Sequence, residues 1–228
     1  CIFVPQQMAD FKQKFYDITS LIQSEFDRNM DLYVDKIQRR KGCSKCCSQI
    51  FNITLIDAWV IGEHIRSLPQ EQREALQQKA REYLLLLPLK GQRTGFSLRE
   101  KEHTVGMFAE GVISSDHPGS SSHPSLEKEG SSLYCPALGA EGECTIYEAR
   151  PVICRRFGMP IYDYKNPQNV HACELNFKDG DEITDELLVP NQTEIGKKWD
   201  ELKDEFAASV PRTDINSGTT IAMAIAGA

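Results

Sequence analysis

The placement of cysteine constrains this chain more than any other feature of its sequence. Eight cysteines occur among 228 residues. Apart from Cys1, they stand at Cys43, Cys46, Cys47, Cys135, Cys144, Cys154 and Cys173. In a secreted chain of under a hundred residues, this count would indicate a disulfide framework. In a longer, acidic chain with helical patterning it favours metal ligation, with disulfides and buried structural thiols as the alternatives.

The overall charge and hydropathy exclude two classes of protein. A net charge of −7 argues against a nucleic-acid binder, which needs a basic face to neutralise phosphates. No apolar run approaches the roughly 20 residues that a membrane span requires. We therefore expect a soluble, cytoplasmic protein without a membrane span. Cys1 at the start indicates either a trimmed chain or a lipoprotein terminus, and we expect trimming.

Helical periodicity dominates the rest of the sequence. Apolar residues recur every three or four positions from Met8 to Ile37, which predicts an amphipathic helix within residues 1–40. A second helix is predicted from Thr54, which has Asp57 at capping-box spacing. Further helices are predicted over 69–88 and 191–211, each ended by a proline.

The remaining segments lack helical or strand periodicity. Residues 114–132 form a loop rich in serine. We expect the tail after Pro211 to be loose, with a short apolar end that is able to pack or pair. Residues 41–175 form a cysteine-cluster region. The sequence therefore predicts one domain over 1–228, mainly α, in which helices surround an irregular cysteine-rich metal-binding centre.

The first cysteine segment is KGCSKCC, residues 41–47. The three-residue step from Cys43 to Cys46 lets one tight turn direct two sulfurs toward the same ion or cluster iron. Cys47 points in another direction, which suits a centre with several metal ions or a thiol used only in packing. The same spacing occurs in redox dithiols, so a thiol-redox protein that uses Cys46 or Cys47 is an alternative.

The second segment spans residues 135–158 and carries three cysteines. Pro136 follows Cys135 directly, as proline follows a ligand cysteine in some iron–sulfur loops. Thr145 and Glu148 have capping-box spacing, which predicts a helical turn in the middle of the segment.

The end of the second segment combines a cysteine with basic residues. Pro151 is expected to break or restart the helix, which places Cys154 one turn further along. Four thiolates on zinc or on an oxidised four-iron cluster leave a net charge of about −2, which is costly to bury. We expect this charge to be offset by Lys45, Arg150, Arg155 and Arg156. Cys173 completes the set, and His171 is an alternate ligand.

These residues resemble those of a known family. KGCSKCC followed by CPAL and GECTIYEARPVICRRFG is similar to the CxxCxxCC cysteine-cluster proteins, a zinc- or iron-chelating group that includes YkgJ-like proteins and flagellin lysine N-methylases. Cys43, Cys46 and Cys47 match the last three cysteines of the pattern, and Arg40 stands in place of the first. The second segment matches at Cys135, Pro136, Cys144, Tyr147, Arg150, Pro151, Cys154 and Arg155. The resemblance implies a bound metal and leaves zinc and iron open.

Two functions follow from these observations. The first is a metal-binding protein that holds an iron–sulfur cluster or zinc in a structural, electron-transfer or maturation role, with a protein partner left open. The alternative, from the resemblance alone, is a protein-lysine N-methyltransferase, although no glycine-rich strand-to-helix motif for its cofactor is present. Seven sulfurs with few histidines slightly favour a 4Fe–4S cluster over zinc. We expect Cys43, Cys46, Cys144 and Cys154 before the other three as its ligands.

Overall fold

The computed structural model describes residues 5–38, 42–91, 133–162, 164–165, 170–173, 175–178, 181–210 and 219–228. The helices are α1 (Pro5–Leu32), α2 (Leu55–Ser67), α3 (Gln70–Gly91), α4 (Val152–Arg156), α5 (Leu188–Ser209) and α6 (Ile221–Ala226). The strands are β1 (Asn52–Ile53), β2 (Ile161–Tyr162), β3 (Val170–His171) and β4 (Thr219–Thr220), paired antiparallel as β1–β4 and β2–β3. The prediction of a mainly α chain is confirmed.

Helix α1 ends earlier than its apolar periodicity predicts. The backbone turns after Leu32, and the carbonyl of Tyr33 accepts hydrogen bonds from the amides of Lys36 and Ile37, each at 2.9 Å. The Tyr33 hydroxyl accepts a bond from the amide of Asp185 at 2.9 Å. Ile37 is buried, but it belongs to this turn and not to the helix. Its apolar character therefore extended the predicted helix by five residues.

A buried polar network joins α1 to α5. The Glu25 carboxylate, 4% exposed, accepts hydrogen bonds from Arg28 at 3.0 Å, from Asn29 at 3.1 Å and from Asn191 at 2.8 Å. Arg28 also forms an ion pair with Asp185. Because a buried charge is tolerated only when it is paired and hydrogen-bonded, these contacts fix how the two helices lie against each other.

The predicted cap of α2 is confirmed. The amide of Asp57 donates to the Thr54 hydroxyl oxygen at 3.2 Å, and the Asp57 carboxylate accepts from the Thr54 amide at 3.1 Å. This reciprocal pair satisfies backbone donors that have no partner inside the helix. It fixes the start of α2 directly after β1, and β1 follows the first cysteine segment.

The end of the described chain belongs to the core. Residues 211–218 and the serine-rich 114–132 lie outside the described part, but β4 pairs with β1 in the register Asn52 to Thr220. Helix α6 packs against α2 and α3 and buries Ile221 and Ile225. The short apolar end of the tail, residues 219–228, therefore both pairs and packs, since its apolar side chains complete the core.

No helix within the described ranges has both the length and the apolar character needed to cross a membrane.

Burial of α6 predicts a large difference between two of its residues. Ile225 is 0% exposed and Met223 is 43% exposed. We expect Ile225→Ala to lower the free energy of unfolding by about 2–5 kcal/mol, since it leaves a cavity in the core, and Met223→Ala to change it by less than about 0.5 kcal/mol. Urea denaturation measures both. Equal, small effects would show that α6 is not part of the core.

Candidate metal centre

Seven thiols line one cavity of about 600 Å³. They are those of Cys43, Cys46, Cys47, Cys135, Cys144, Cys154 and Cys173. The rest of the wall comes from distant parts of the chain, including Phe26 of α1 and Ile221 of α6. This volume is that of a small-molecule pocket and greatly exceeds the space around a single ion.

The first cysteine segment enters the cavity on a tight 3₁₀ turn over Lys45–Ser48. The amide of Cys47 donates to the Ser44 carbonyl at 2.8 Å. Since a 3₁₀ turn has three residues per turn, Cys46 and Cys47 point about 120° apart. A hydrogen bond to Cys46, then burial, then the nearby thiols hold the pKa of the Cys47 thiol well above its usual range. These contacts favour the protonated form of the Cys47 thiol.

In the second segment, two sulfurs make the same kind of contact with the backbone. Cys135 and Cys144 each accept a hydrogen bond at sulfur from the backbone amide two residues later, that of Ala137 and that of Ile146. Residues Leu138 and Cys144 form an isolated antiparallel bridge that closes the loop between them. Amide donors at sulfur stabilise thiolate character, so the backbone is arranged here as it is around metal-bound cysteines.

The predicted capping box at Thr145 is wrong. The Thr145 hydroxyl and amide both donate to the carbonyl of Ala137, at 2.9 and 2.8 Å. The 3₁₀ turn that follows, Tyr147–Ala149, has no side-chain cap. The hydroxyl closes the loop between the two cysteines instead. The predicted restart at Pro151 is confirmed, because Pro151 flanks the start of α4, and α4 carries Cys154.

Two glycines and one backbone hydrogen bond join the segments. The amide of Cys135 donates to the Cys47 carbonyl at 2.7 Å. Gly42 and Gly142 have φ values of +86° and +82°, and a Cβ on Gly142 would lie 3.2 Å from the Gly42 carbonyl oxygen. Only glycine takes this conformation without strain and permits such close approach.

Five thiols, those of Cys46, Cys47, Cys135, Cys144 and Cys154, are close enough to affect the ionisation of at least one neighbour. The pKa of Cys135 is raised to about 11, by burial first and then by its neighbours Cys144 and Cys46. Burial also raises the pKa of Cys154 well above its usual range, and again Cys46, Cys135 and Cys144 contribute. A metal must therefore displace protons from these sulfurs and compensate their mutual repulsion.

Arg150 is the cation best placed to offset that charge. Its side chain is 8% exposed, donates to the Cys154 carbonyl at 2.6 Å and lies over the Tyr147 ring at 5.2 Å. It lowers the pKa of Cys154 and of Cys144, against the effect of burial. A buried guanidinium beside thiolates is the electrostatic arrangement expected for an anionic metal centre.

Of the other basic residues predicted to offset the charge, two lie near the sulfurs and one does not. Lys45 lines the cavity. Arg155 lowers the pKa of Cys144 and donates to the carbonyls of Arg150 and Glu148 at 3.0 and 2.7 Å. Arg156 donates to Gln192 of α5 at 3.0 Å and to the Tyr162 carbonyl, so it braces the fold instead.

Lys79 of α3 was not predicted from the sequence. It donates to the Leu138 carbonyl and lowers the pKa of Cys135. Nothing in its sequence neighbourhood distinguishes it from other exposed helical lysines.

The donor set consists of soft sulfur ligands. Within the described residues, no group of three or more histidine, cysteine, aspartate or glutamate side chains is already gathered as a metal-ion site. Seven soft thiol donors around one cavity nonetheless match the ligands preferred by zinc and by iron–sulfur clusters. The alternate ligand His171 lies in β3, but its side chain falls outside the described part, as does Arg40.

The glycine contact predicts a defect in metal binding. We expect Gly142→Ala to lower the bound metal per chain, because the new methyl group strains the backbone and separates Gly142 from Gly42. Gly62→Ala is the matched control: it lies in α2, where a Cβ meets only the flexible Arg66 side chain. Elemental analysis of the three proteins measures the difference, and equal metal content would contradict the role given to this contact.

Comparison with known proteins identifies the family of this centre. Neither the curated proteins nor the solved structures gave a match to the chain. Residues 40–174, more than half of the 228, match the family model CxxCxxCC, described as a "putative zinc- or iron-chelating domain". The matched region contains all seven cysteines of the cavity. The chain therefore belongs to the CxxCxxCC zinc- or iron-chelating family.

Proposed function

We propose that this protein holds a 4Fe–4S cluster in the cysteine cavity and acts as a non-catalytic electron-transfer or maturation protein. One observation carries the proposal: seven thiols, separated by up to 130 positions in the chain, line the same cavity of about 600 Å³. Convergence of so many soft donors in one cavity is the arrangement that a thiolate-bound metal group requires. When bound, such a cluster supplies one-electron redox chemistry.

The size of the cavity supports a cluster over a zinc ion. A structural zinc site brings four ligands to about 2.0–2.3 Å of one point in a closed tetrahedron. The seven thiols instead line a cavity of about 600 Å³. A four-iron cluster presents its irons at separate corners, so its cysteines bind without meeting at one atom.

The electrostatic contacts support a particular set of ligands, Cys46, Cys135, Cys144 and Cys154. Within this set, which shares its electrostatic coupling with Cys47, two thiols accept amide hydrogen bonds at sulfur and one lies beside Arg150. The spacing of the sequence favoured Cys43 in place of Cys135. In this proposal Cys47 supports Cys46 through their hydrogen bond.

The exposure of the thiols supports a functional role over a purely structural one. Six of the seven cysteines are only partly buried, so a group bound to them would lie near the protein surface, within reach of a partner. Tyr147 and Leu175 line the cavity and are 50% and 36% exposed, which gives the opening an apolar edge that a protein partner would contact. The methyltransferase alternative stays a prediction, because no observation on the described residues favours it.

Anaerobic purification tests the proposed function. We expect a brown protein with absorbance near about 400 nm and about four irons and four acid-labile sulfides per chain. Iron, zinc and sulfide are measured on the same sample. A colourless protein with one zinc per chain would contradict the cluster and leave a zinc site, and a protein without either metal would contradict the metal centre altogether.

Single cysteine variants test the ligand set. We expect Cys144→Ala and Cys154→Ala to lose the cluster and to melt at a lower temperature, because metal-binding energy contributes to folding. Cys43→Ala is the control, since it lines the cavity outside the proposed set. Full metal content and unchanged melting in Cys144→Ala or Cys154→Ala would remove that residue from the ligand set.

A further inference from the structure

Asp57 connects α2 to the helix that carries Cys154. One carboxylate oxygen accepts from the Thr54 amide at 3.1 Å and the Thr54 hydroxyl at 2.7 Å, which caps α2. The other oxygen accepts from the amide of Val152 at 3.0 Å, at the first position of α4. Asp57 is 2% exposed. A buried carboxylate thus serves two backbone segments 95 positions apart in the chain.

The capping role alone does not account for this burial. A serine, threonine or exposed aspartate satisfies a helix terminus at the protein surface, where the carboxylate keeps its water. Burial raises the pKa of Asp57, and the hydrogen bonds from Val152 and Thr54 act against that effect. Burying this carboxylate away from water costs free energy, which its hydrogen bonds must offset. The bond from Val152, outside the helix that Asp57 caps, contributes to that offset.

The second bond fixes a residue midway between two parts of the metal centre. Val152 lies two positions after Arg150 and two before Cys154, and the Arg150 guanidinium donates to the Cys154 carbonyl. Movement of the Val152 amide therefore moves the sulfur and its nearby cation together. Metal–ligand distances tolerate only about 0.2 Å, so small displacements here affect binding.

We infer that Asp57 is a positioning residue of the metal centre, which holds Cys154 and Arg150 in register with the first cysteine segment. This inference rests on the proposed function, because it assigns Asp57 to the same centre. Asp57 does not line the cavity, so it acts through Val152 and not as a ligand. Groups hydrogen-bonded directly to a metal ligand typically change metal affinity about 10–100-fold when they are replaced, and Asp57, which acts one step further out, is expected to lie at the lower end of that range.

Two substitutions break the same hydrogen bond from opposite sides. In Asp57→Asn, an NH₂ group replaces one of the two acceptor oxygens. That group then faces either the Val152 amide or the Thr54 donors, with which it cannot form the original bond. Val152→Pro removes the donor and keeps the carboxylate; proline is compatible with the first helical position, and Pro151 before it already has an extended ψ of 152°. Thr54→Ala is the matched control, because it removes the capping hydroxyl and leaves the Val152 bond in place.

The experiment uses full-length protein purified anaerobically, and measures iron loss to an added chelator, the EPR spectrum of the reduced protein and the melting temperature. We expect Asp57→Asn and Val152→Pro to lose iron about 10-fold faster than wild type, with an altered EPR spectrum. Thr54→Ala should lower the melting temperature but keep the wild-type rate and spectrum. The positioning role would be overturned if the rate of iron loss rose in all three variants in proportion to the fall in melting temperature. It would also be overturned if all three variants lost iron at the wild-type rate. Wild-type protein without any metal would overturn the proposed function itself, and the positioning role with it.

Discussion

Burial of several thiols beside one another is the constraint on which the rest of this structure depends. Burial opposes the ionisation of Cys135, Cys144 and Cys154 most strongly, and the nearby sulfurs, that of Cys46 among them, oppose it further. Each compensating feature lies next to a sulfur: backbone amides at Cys135 and Cys144, and the buried Arg150 beside Cys154. A bound metal supplies the remaining positive charge. Electrostatics thus accounts for where the cysteine loops place amides and a cation, and the helices hold those loops in position.

The helical frame is arranged so that distant segments meet. The buried polar network of Glu25 and Arg28 holds α1 against α5, and α1 contributes Phe26 to the cavity wall. The strand pairing of β4 with β1 places α6 in the core and Ile221 at the cavity. Because the wall draws on both ends of the described chain, the metal centre and the core are parts of the same folding unit.

The features that the sequence predicted are those determined by local chemistry. The amphipathic periodicity of α1, the capping box of Thr54 and Asp57, and the restart at Pro151 each depend on residues within a few positions of one another. The clustering of thiols also indicated a metal centre, because soft donors in short spacings have few other uses.

The features that the sequence could not predict depend on tertiary contacts. Thr145 has the sequence spacing of a helix cap, but its hydroxyl donates to the Ala137 carbonyl across a loop instead. Lys79 approaches the centre from a helix with no distinguishing pattern. The contact between Gly42 and Gly142, and the bond from Val152 to Asp57, join positions about 100 residues apart. No local pattern specifies such pairs, so the choice among seven ligands required the fold.

Cysteines of both segments are expected to bind one metal group. Alkylation of the native, metal-loaded protein, followed by mass spectrometry of its peptides, measures which thiols the metal protects. We predict that Cys46 is protected together with Cys135, Cys144 and Cys154, and that all four lose this protection over the same range of metal removal by a chelator. Protection confined to one segment, or loss of protection in the two segments at different metal contents, would show that they do not share one metal group.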